Sequence, residues 1–114
     1  MPNDCVFCKI AAGEIPSRKA YEDDQILAFY DIAPAAPVHI LVIPKEHIPS
    51  AARLGEQHAE LLGRIFATIA RLAGELNLES GFRVVSNVGD LAGQSVPHLH
   101  FHLLAGRPLA WPPG

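Results

Sequence analysis

Three histidines stand at alternate positions in the run Ser95-Val96-Pro97-His98-Leu99-His100-Phe101-His102-Leu103-Leu104. Side chains of a strand alternate between its two faces. His98, His100 and His102 therefore share one face, while Leu99, Phe101 and Leu103 share the other and point to the core. The imidazoles line a surface about 13 Å long. A merely solvated face more often uses Lys, Glu or Thr. Two chemistries fit such a row: a metal site, because imidazoles on a strand are good ligands, or a nucleophile with flanking donors. The preceding loop, Gly89-Asp90-Leu91-Ala92-Gly93-Gln94-Ser95, favours the second. Its glycines let backbone N–H groups approach an anion, and Ser95 and Asn87 add side-chain donors. A hydroxyl, an amide and imidazoles on one spot describe a phosphate pocket and the donors a phosphoryl transition state needs. No acidic pair lies close in sequence to build a hydrolytic metal centre.

A second constellation is Cys5-x-x-Cys8. The spacing suits metal binding or redox chemistry better than a disulfide framework. Redox use normally goes with a βαβ context, which is absent here. A zinc site wants four ligands drawn from Cys and His, and His47 and His98 are the candidates to complete it. Two reduced cysteines in a short N-terminal helix are the plain alternative.

Elements to hold these groups follow from hydrophobic pattern. Residues 18–24 and 26–32 read as strands, as does the apolar run Val38 to Ile43, ended by Pro44. Residues 56–77 carry helical period through Leu61, Leu62, Ile65, Ile69, Leu72 and Leu76. Small residues at Gly63, Ala67 and Ala70 suit close approach of a partner helix. Phe82–Ser86 and Val96–Leu104 are further strands, separated by the loop 87–94. Strands, one long helix, then strands indicate an α+β fold with an antiparallel sheet and the helix on one face. His58, early in the helix, is expected to be exposed.

The chain has 114 residues, 49% of them hydrophobic and 18% charged, with a net charge of -3. This suits one domain, 1–114. The sparse charge suggests surface hidden in an oligomer. Without a basic run, polymeric nucleic acid is not the expected partner, whereas a mononucleotide stays open because a local pocket can bind phosphate. No apolar stretch of about 18 residues exists, so no membrane span is expected. Met1 to Cys5 show no signal-peptide pattern, and the thiol pair reads as cytoplasmic.

The stretch Gln94 to Leu104 resembles the motif His-apolar-His-apolar-His-apolar-apolar of the histidine-triad (HIT) family. Phe7-Cys8-Lys9-Ile10, Ala28 to Ile32, Pro37 to Lys45 and the tail Trp111-Pro112-Pro113-Gly114 resemble its Hint-like branch. The resemblance implies a homodimer paired through the long helix, with a five-stranded antiparallel sheet and a short N-terminal helix. It implies hydrolysis of purine nucleoside 5′-monophosphoramidates or related nucleotidyl conjugates, with no organic cofactor. A nucleotide-binding sensor with incidental catalysis and a dinucleoside polyphosphate hydrolase are the alternatives.

The resemblance also implies residue roles. His100 is the nucleophile, His102 a phosphate contact, Ser95 the group that helps protonate the leaving amine, and His39 a further active-site histidine behind the triad. A buried, satisfied core histidine is the bland alternative for His39. Asn87 and the backbone of Gly93, Gln94 and Ser95 hold phosphate oxygens. Asp31 accepts the ribose hydroxyls, Phe7, Ile10, Phe29 and Ile32 form the base pocket, and Trp111 reaches the partner's active site. Cys5, Cys8, His47 and His98 resemble a structural zinc site, with His98 buttressing the nucleophile. Pro97 stands where many relatives carry an aromatic; lacking an N–H, it starts the strand at His98 or places it at an edge. Ala110 replaces a polar residue common before the tail Trp.

Overall fold

The computed structural model describes residues 4–114; the signal-peptide reading draws on Met1 to Asn3, which lie outside the described residues. Five strands form one antiparallel sheet: β1 (Lys19–Glu22), β2 (Ile26–Tyr30), β3 (Val38–Pro44), β4 (Phe82–Val85) and β5 (Phe101–Ala105). Their spatial order is β1-β2-β3-β5-β4. A short helix, α1 (Val6–Ala11), precedes the sheet, and a long one, α2 (Ala59–Glu75), lies between β3 and β4. The expected α+β architecture is the observed one.

The central strands are apolar on both sides because both sides are covered. Ile26, Ala28, Ile40, Val42, Phe101 and Leu103 face α2, whose Ile65, Ile69 and Leu72 complete the larger core. Those helix positions are four and three apart, the spacing that puts side chains on one face. Leu27, Phe29, Leu41 and Ile43 face the other way, onto α1, and pack with Cys5, Phe7 and Cys8. The candidate functional residues lie on this second side.

The strands read over 18–24, 26–32 and 82–86 are shorter in the structure, and two further boundaries and one exposure differ more from expectation. The helix read over 56–77 divides into a 3₁₀ turn, Glu56–His58, and α2, and beyond it Asn77 adopts a left-handed φ of 59°, a common way for a helix to stop. His58 is not exposed: its side chain is 12% accessible and its Nε2 lies 3.6 Å from Glu46 Oε2, while its Nδ1 accepts from the Gly55 N–H. The strand expected from Val96, or from His98, begins only at Phe101. Pro97 has no N–H to offer, the His98 N–H donates to Val96 O in a tight turn, and the Leu99 N–H donates to Ile48 O. With these donors spent off the ladder, pairing starts later. The alternation nevertheless survives. Leu99 joins the core with Phe101 and Leu103, leaving the three histidines to the opposite side.

Candidate active site and metal cluster

A cleft of about 630 Å³ opens on the α1 side of the sheet. Phe7, Ile10, Phe29 and Leu41 give it an apolar wall, and Asp31, Ser95, His100 and His102 line its polar end. α1 brings Phe7 across the sheet, where its ring meets Phe29 edge-on at 5.6 Å and His100 at 5.1 Å. Alternation on β3 puts His39 and Leu41 on this face, and the register sets Leu41 opposite His102.

Backbone groups fix the protonation of each ring. The Nδ1 of His100 lies 2.7 Å from the His98 carbonyl. A carbonyl only accepts, so Nδ1 carries the hydrogen and Nε2 keeps its lone pair. The opposite holds at His39, whose Nδ1 accepts from the Ala35 N–H at 3.0 Å. His39 Nε2 therefore carries the hydrogen and donates to His102 Nδ1 at 2.9 Å. His102 is left with its hydrogen on Nε2. One ring thus offers a lone pair and its neighbour, 5.0 Å away between centroids, offers a donor. Burial, helped by His100 and His39, holds His102 down to about 4. Burial lowers His39 as well, against the pull of Asp31. Asp31 Oδ2 lies 3.5 Å from His39 Nε2, and its Oδ1 accepts from the Ala33 N–H.

His98 serves a different cluster. Its ring is fully buried, and its Nε2–H donates to Pro44 O at 2.8 Å, which leaves Nδ1 as a lone pair. That atom lies 3.3 Å from Cys5 Sγ, 3.5 Å from Cys8 Sγ and 3.3 Å from His47 Nδ1, while Cys8 Sγ and His47 Nδ1 are 3.2 Å apart. Ligand edges of a tetrahedral zinc site come to roughly 3.6 Å for sulfur to nitrogen and 3.3 Å for nitrogen to nitrogen, given the usual bond lengths. The four donors fit that shape and chemistry. Burial and the neighbouring Cys5 push the Cys8 thiol up to about 11, a penalty a bound cation reverses. Cys5 caps α1 through its sulfur, which accepts from the Cys8 N–H, so the Cys-x-x-Cys spacing is one turn of helix holding two sulfurs together. Asp31, His39 and His102 also lie within ligand distance of one another. There the inward nitrogen of His39 already carries a hydrogen, so this group is a hydrogen-bonded chain.

The structure gathers most of the residues expected at the site. Phe7, Ile10, Phe29, Asp31, Ile32, Ser95, His100 and His102 line the cleft; Ile32 is fully exposed at its rim. His39 sits behind them, buried, with both ring nitrogens hydrogen-bonded, one of them to His102. His98 is beside His100 but does not line the cleft. Asn87, Gly93, Gln94 and Trp111 do not line it either. The N–H groups of Gly93 and Gln94 close turns onto Asp90 O and Gly89 O. The Gln94 side chain holds Pro49 O, Val96 O and the Gly89 N–H, so it shapes the loop. Trp111 is 82% exposed. Sequence reasoning missed Leu41, which alternation with His39 could have found, and the wall formed by Ile15, Pro16 and Ser17 after α1.

The model of the HIT domain matches residues 12–109. The chain is 47% identical over 113 residues to a 14 kDa zinc-binding protein of Brassica juncea, covering 97% of this chain and all of that one. It is 46% identical over 111 residues to the adenylylsulfatase HINT1 of Arabidopsis thaliana, covering 96% of this chain and 76% of the relative. Among solved structures, it is similar to a HIT family hydrolase from Legionella pneumophila Philadelphia 1, with a TM-score of 0.96, 49% identity, and coverage of 97% and 100%.

Proposed function

The chain belongs to the HIT domain family, and from that premise we propose that it hydrolyses purine nucleoside 5′-monophosphoramidates and related nucleotidyl conjugates through a covalent nucleotidyl-histidine on His100. The observation that carries this reading is the hydrogen bond from His100 Nδ1 to the His98 carbonyl. It leaves the nucleophilic nitrogen unprotonated without any general base.

In the proposed reaction the Nε2 lone pair attacks the α-phosphorus, and the bond from phosphorus to the leaving nitrogen breaks. Positive charge then appears on the His100 ring, where the His98 carbonyl stabilises it. The His102 Nε2–H donates to a phosphoryl oxygen, and burial keeps that ring neutral across the working range. Ser95, on the cleft rim, delivers a proton to the departing amine. Water then attacks phosphorus and passes a proton back to the Ser95 oxygen, the P–Nε2 bond breaks, and His100 returns to its starting tautomer. Asp31 accepts from the ribose hydroxyls, and the base lies against Phe7, Ile10 and Phe29. A relative named as an adenylylsulfatase supports a broad leaving-group range, because the attack on the α-phosphorus is the same.

Cys5, Cys8, His47 and His98 would hold a zinc ion, which when bound supplies a structural cross-link between α1, the segment after β3 and the nucleophile's neighbour. The thiolate set suits a reducing, cytoplasmic setting. A second copy would cover the exposed stripe of Gly63, Phe66, Ala67 and Ala70 on α2 and the open edge of β4, where Phe82 is 41% exposed. A Cβ added at Gly63 meets nothing within 4 Å, so no contact inside one chain demands glycine there. Trp111 would reach the partner's cleft in that dimer. The central test is mass spectrometry on samples quenched during turnover of adenosine phosphoramidate. The mass of a nucleotidyl group on the peptide containing His100 is expected; steady turnover with no such adduct sinks the covalent mechanism.

A further inference from the structure

Among the described residues, one buried side-chain oxygen or nitrogen has no hydrogen-bond partner: the Oγ of Ser17. Buried polar groups are nearly always paired, and an exception calls for an explanation. Ser17 lies in the wall of the cleft between Pro16 and Arg18. The Tyr30 N–H donates to Arg18 O, which ties this segment to the end of β2. The Arg18 guanidinium lies 4.2 Å from the centre of the Tyr30 ring, and Tyr30 packs against the core on the α2 side. Ser17, Arg18 and Tyr30 all line the same cleft as Phe29.

We infer that Ser17 Oγ makes the side-chain hydrogen bond to the polar edge of the base in this cleft, and so is a specificity-determining residue. The inference rests on the nucleotide reading above. The slot formed by Phe7, Ile10, Phe29 and Leu41 contacts a base through its faces but offers nothing to its edge nitrogens and oxygens. A serine hydroxyl both donates and accepts, and it turns among three staggered positions. It can therefore meet the ring nitrogen and amino group of adenine or the carbonyl of guanine. In the free protein the same hydroxyl is a fault in the packing.

The two states give effects of opposite sign. Ser17→Ala removes an unpaired buried group from the free protein, so Tm is expected to rise by about 2–4 °C. The same change takes a partner from the bound base, so AMP and GMP should each bind about five- to tenfold more weakly. Ribose 5-phosphate, which has no base, should bind both proteins equally. Calorimetric titration of the three ligands and a thermal scan give all four readings. AMP and GMP affinities unchanged in Ser17→Ala would mean that ordered water serves the hydroxyl, and this inference fails. Equal weakening of ribose 5-phosphate moves the contact to the sugar or phosphate and also overturns it. So does a fall in Tm beside the loss of affinity, the mark of a merely structural serine. Wild-type protein that binds neither AMP nor GMP overturns the nucleotide reading itself, a separate outcome from loss confined to the variant.

Discussion

His98 and His100 stand two residues apart, on the same side of the sheet, in the same run of sequence, yet they belong to opposite kinds of chemistry. At His98 the Pro44 carbonyl takes the Nε2 hydrogen, and the lone pair turns inward to two sulfurs and a second imidazole. At His100 the His98 carbonyl takes the Nδ1 hydrogen, and the lone pair lies on the other nitrogen of a ring that lines the cleft. The residue type and the exposure class are the same; both rings are buried. What differs is which ring nitrogen a backbone carbonyl occupies. One choice turns a lone pair into the Cys–His cluster, the other leaves a lone pair at the cleft. Because the carbonyl that orients His100 belongs to His98, the two regions are mechanically joined.

The sharpest way to break that contrast is at His100. His100→Ala should lower kcat for an adenosine phosphoramidate by about 10³-fold or more, leave metal content unchanged, and shift AMP affinity only a few-fold. Retention of wild-type kcat would end the proposed role of His100. The cluster should behave in reverse. Cys5→Ser should strip bound zinc, measured by elemental analysis of purified protein, and lower Tm by about 5–10 °C. Its kcat should fall less than that of His100→Ala. Full zinc occupancy in Cys5→Ser would remove the cluster from the metal-site reading.

A smaller effect is expected from the chain behind the cleft. His39→Phe removes both the acceptor for the Ala35 N–H and the donor to His102 Nδ1. His102 is then free to take either tautomer, and kcat should drop about 10- to 100-fold, within the range of a single positioned donor. Nitrogen chemical shifts of the His102 ring report the tautomer directly. A His102 that keeps its hydrogen on Nε2 in this variant would show that His39 does not set it.

These contrasts also mark what could be read from the chain alone. Alternation from His98 to Leu103 is a side-chain pattern, and it survived even though regular pairing begins only at Phe101. Cys5, Cys8, His47 and His98 were recognisable as a ligand set by residue type and by family resemblance. The apolar runs of β2 and β3 and the period of α2 were equally plain, because burial acts on side chains. The agents that choose tautomers were invisible: the carbonyls of Pro44 and His98 and the N–H of Ala35 carry no side-chain signature, and only the fold brings them to the rings. The same limit explains Gly93 and Gln94. Their glycine-rich loop suggested free N–H donors, but those donors close turns within the loop. The late start of β5 likewise depended on a distant carbonyl, Ile48 O.

The smallest expected effect is a dependence of stability on pH, and it tests whether His102 is neutral in the folded protein. Burial holds its pKa down to about 4, against about 6.5 for a histidine in an unfolded chain. Between those values the unfolded chain binds a proton that the folded protein does not. The stabilisation is therefore complete above about pH 6.5 and is lost as pH falls toward 4. His39, lowered by burial, acts in the same direction. Glu22 is lowered to about 2 by hydrogen bonds from Lys19 and Lys45, so its contribution fades only below the ordinary carboxylate range near 4.3. Measurements between pH 7 and 5 thus separate the histidines from Glu22. Acid would also release a zinc ion held by the Cys–His cluster, but that loss would be common to wild type and His102→Gln, so the difference between their urea midpoints isolates His102. With the ring only half-buried, wild type should lose about 1 kcal/mol more than the variant over that range. A difference that stays constant from pH 7 to 5 would mean that His102 takes up its proton in the folded protein at the same pH as in the unfolded chain, and a ring that protonates so readily is not held neutral by burial.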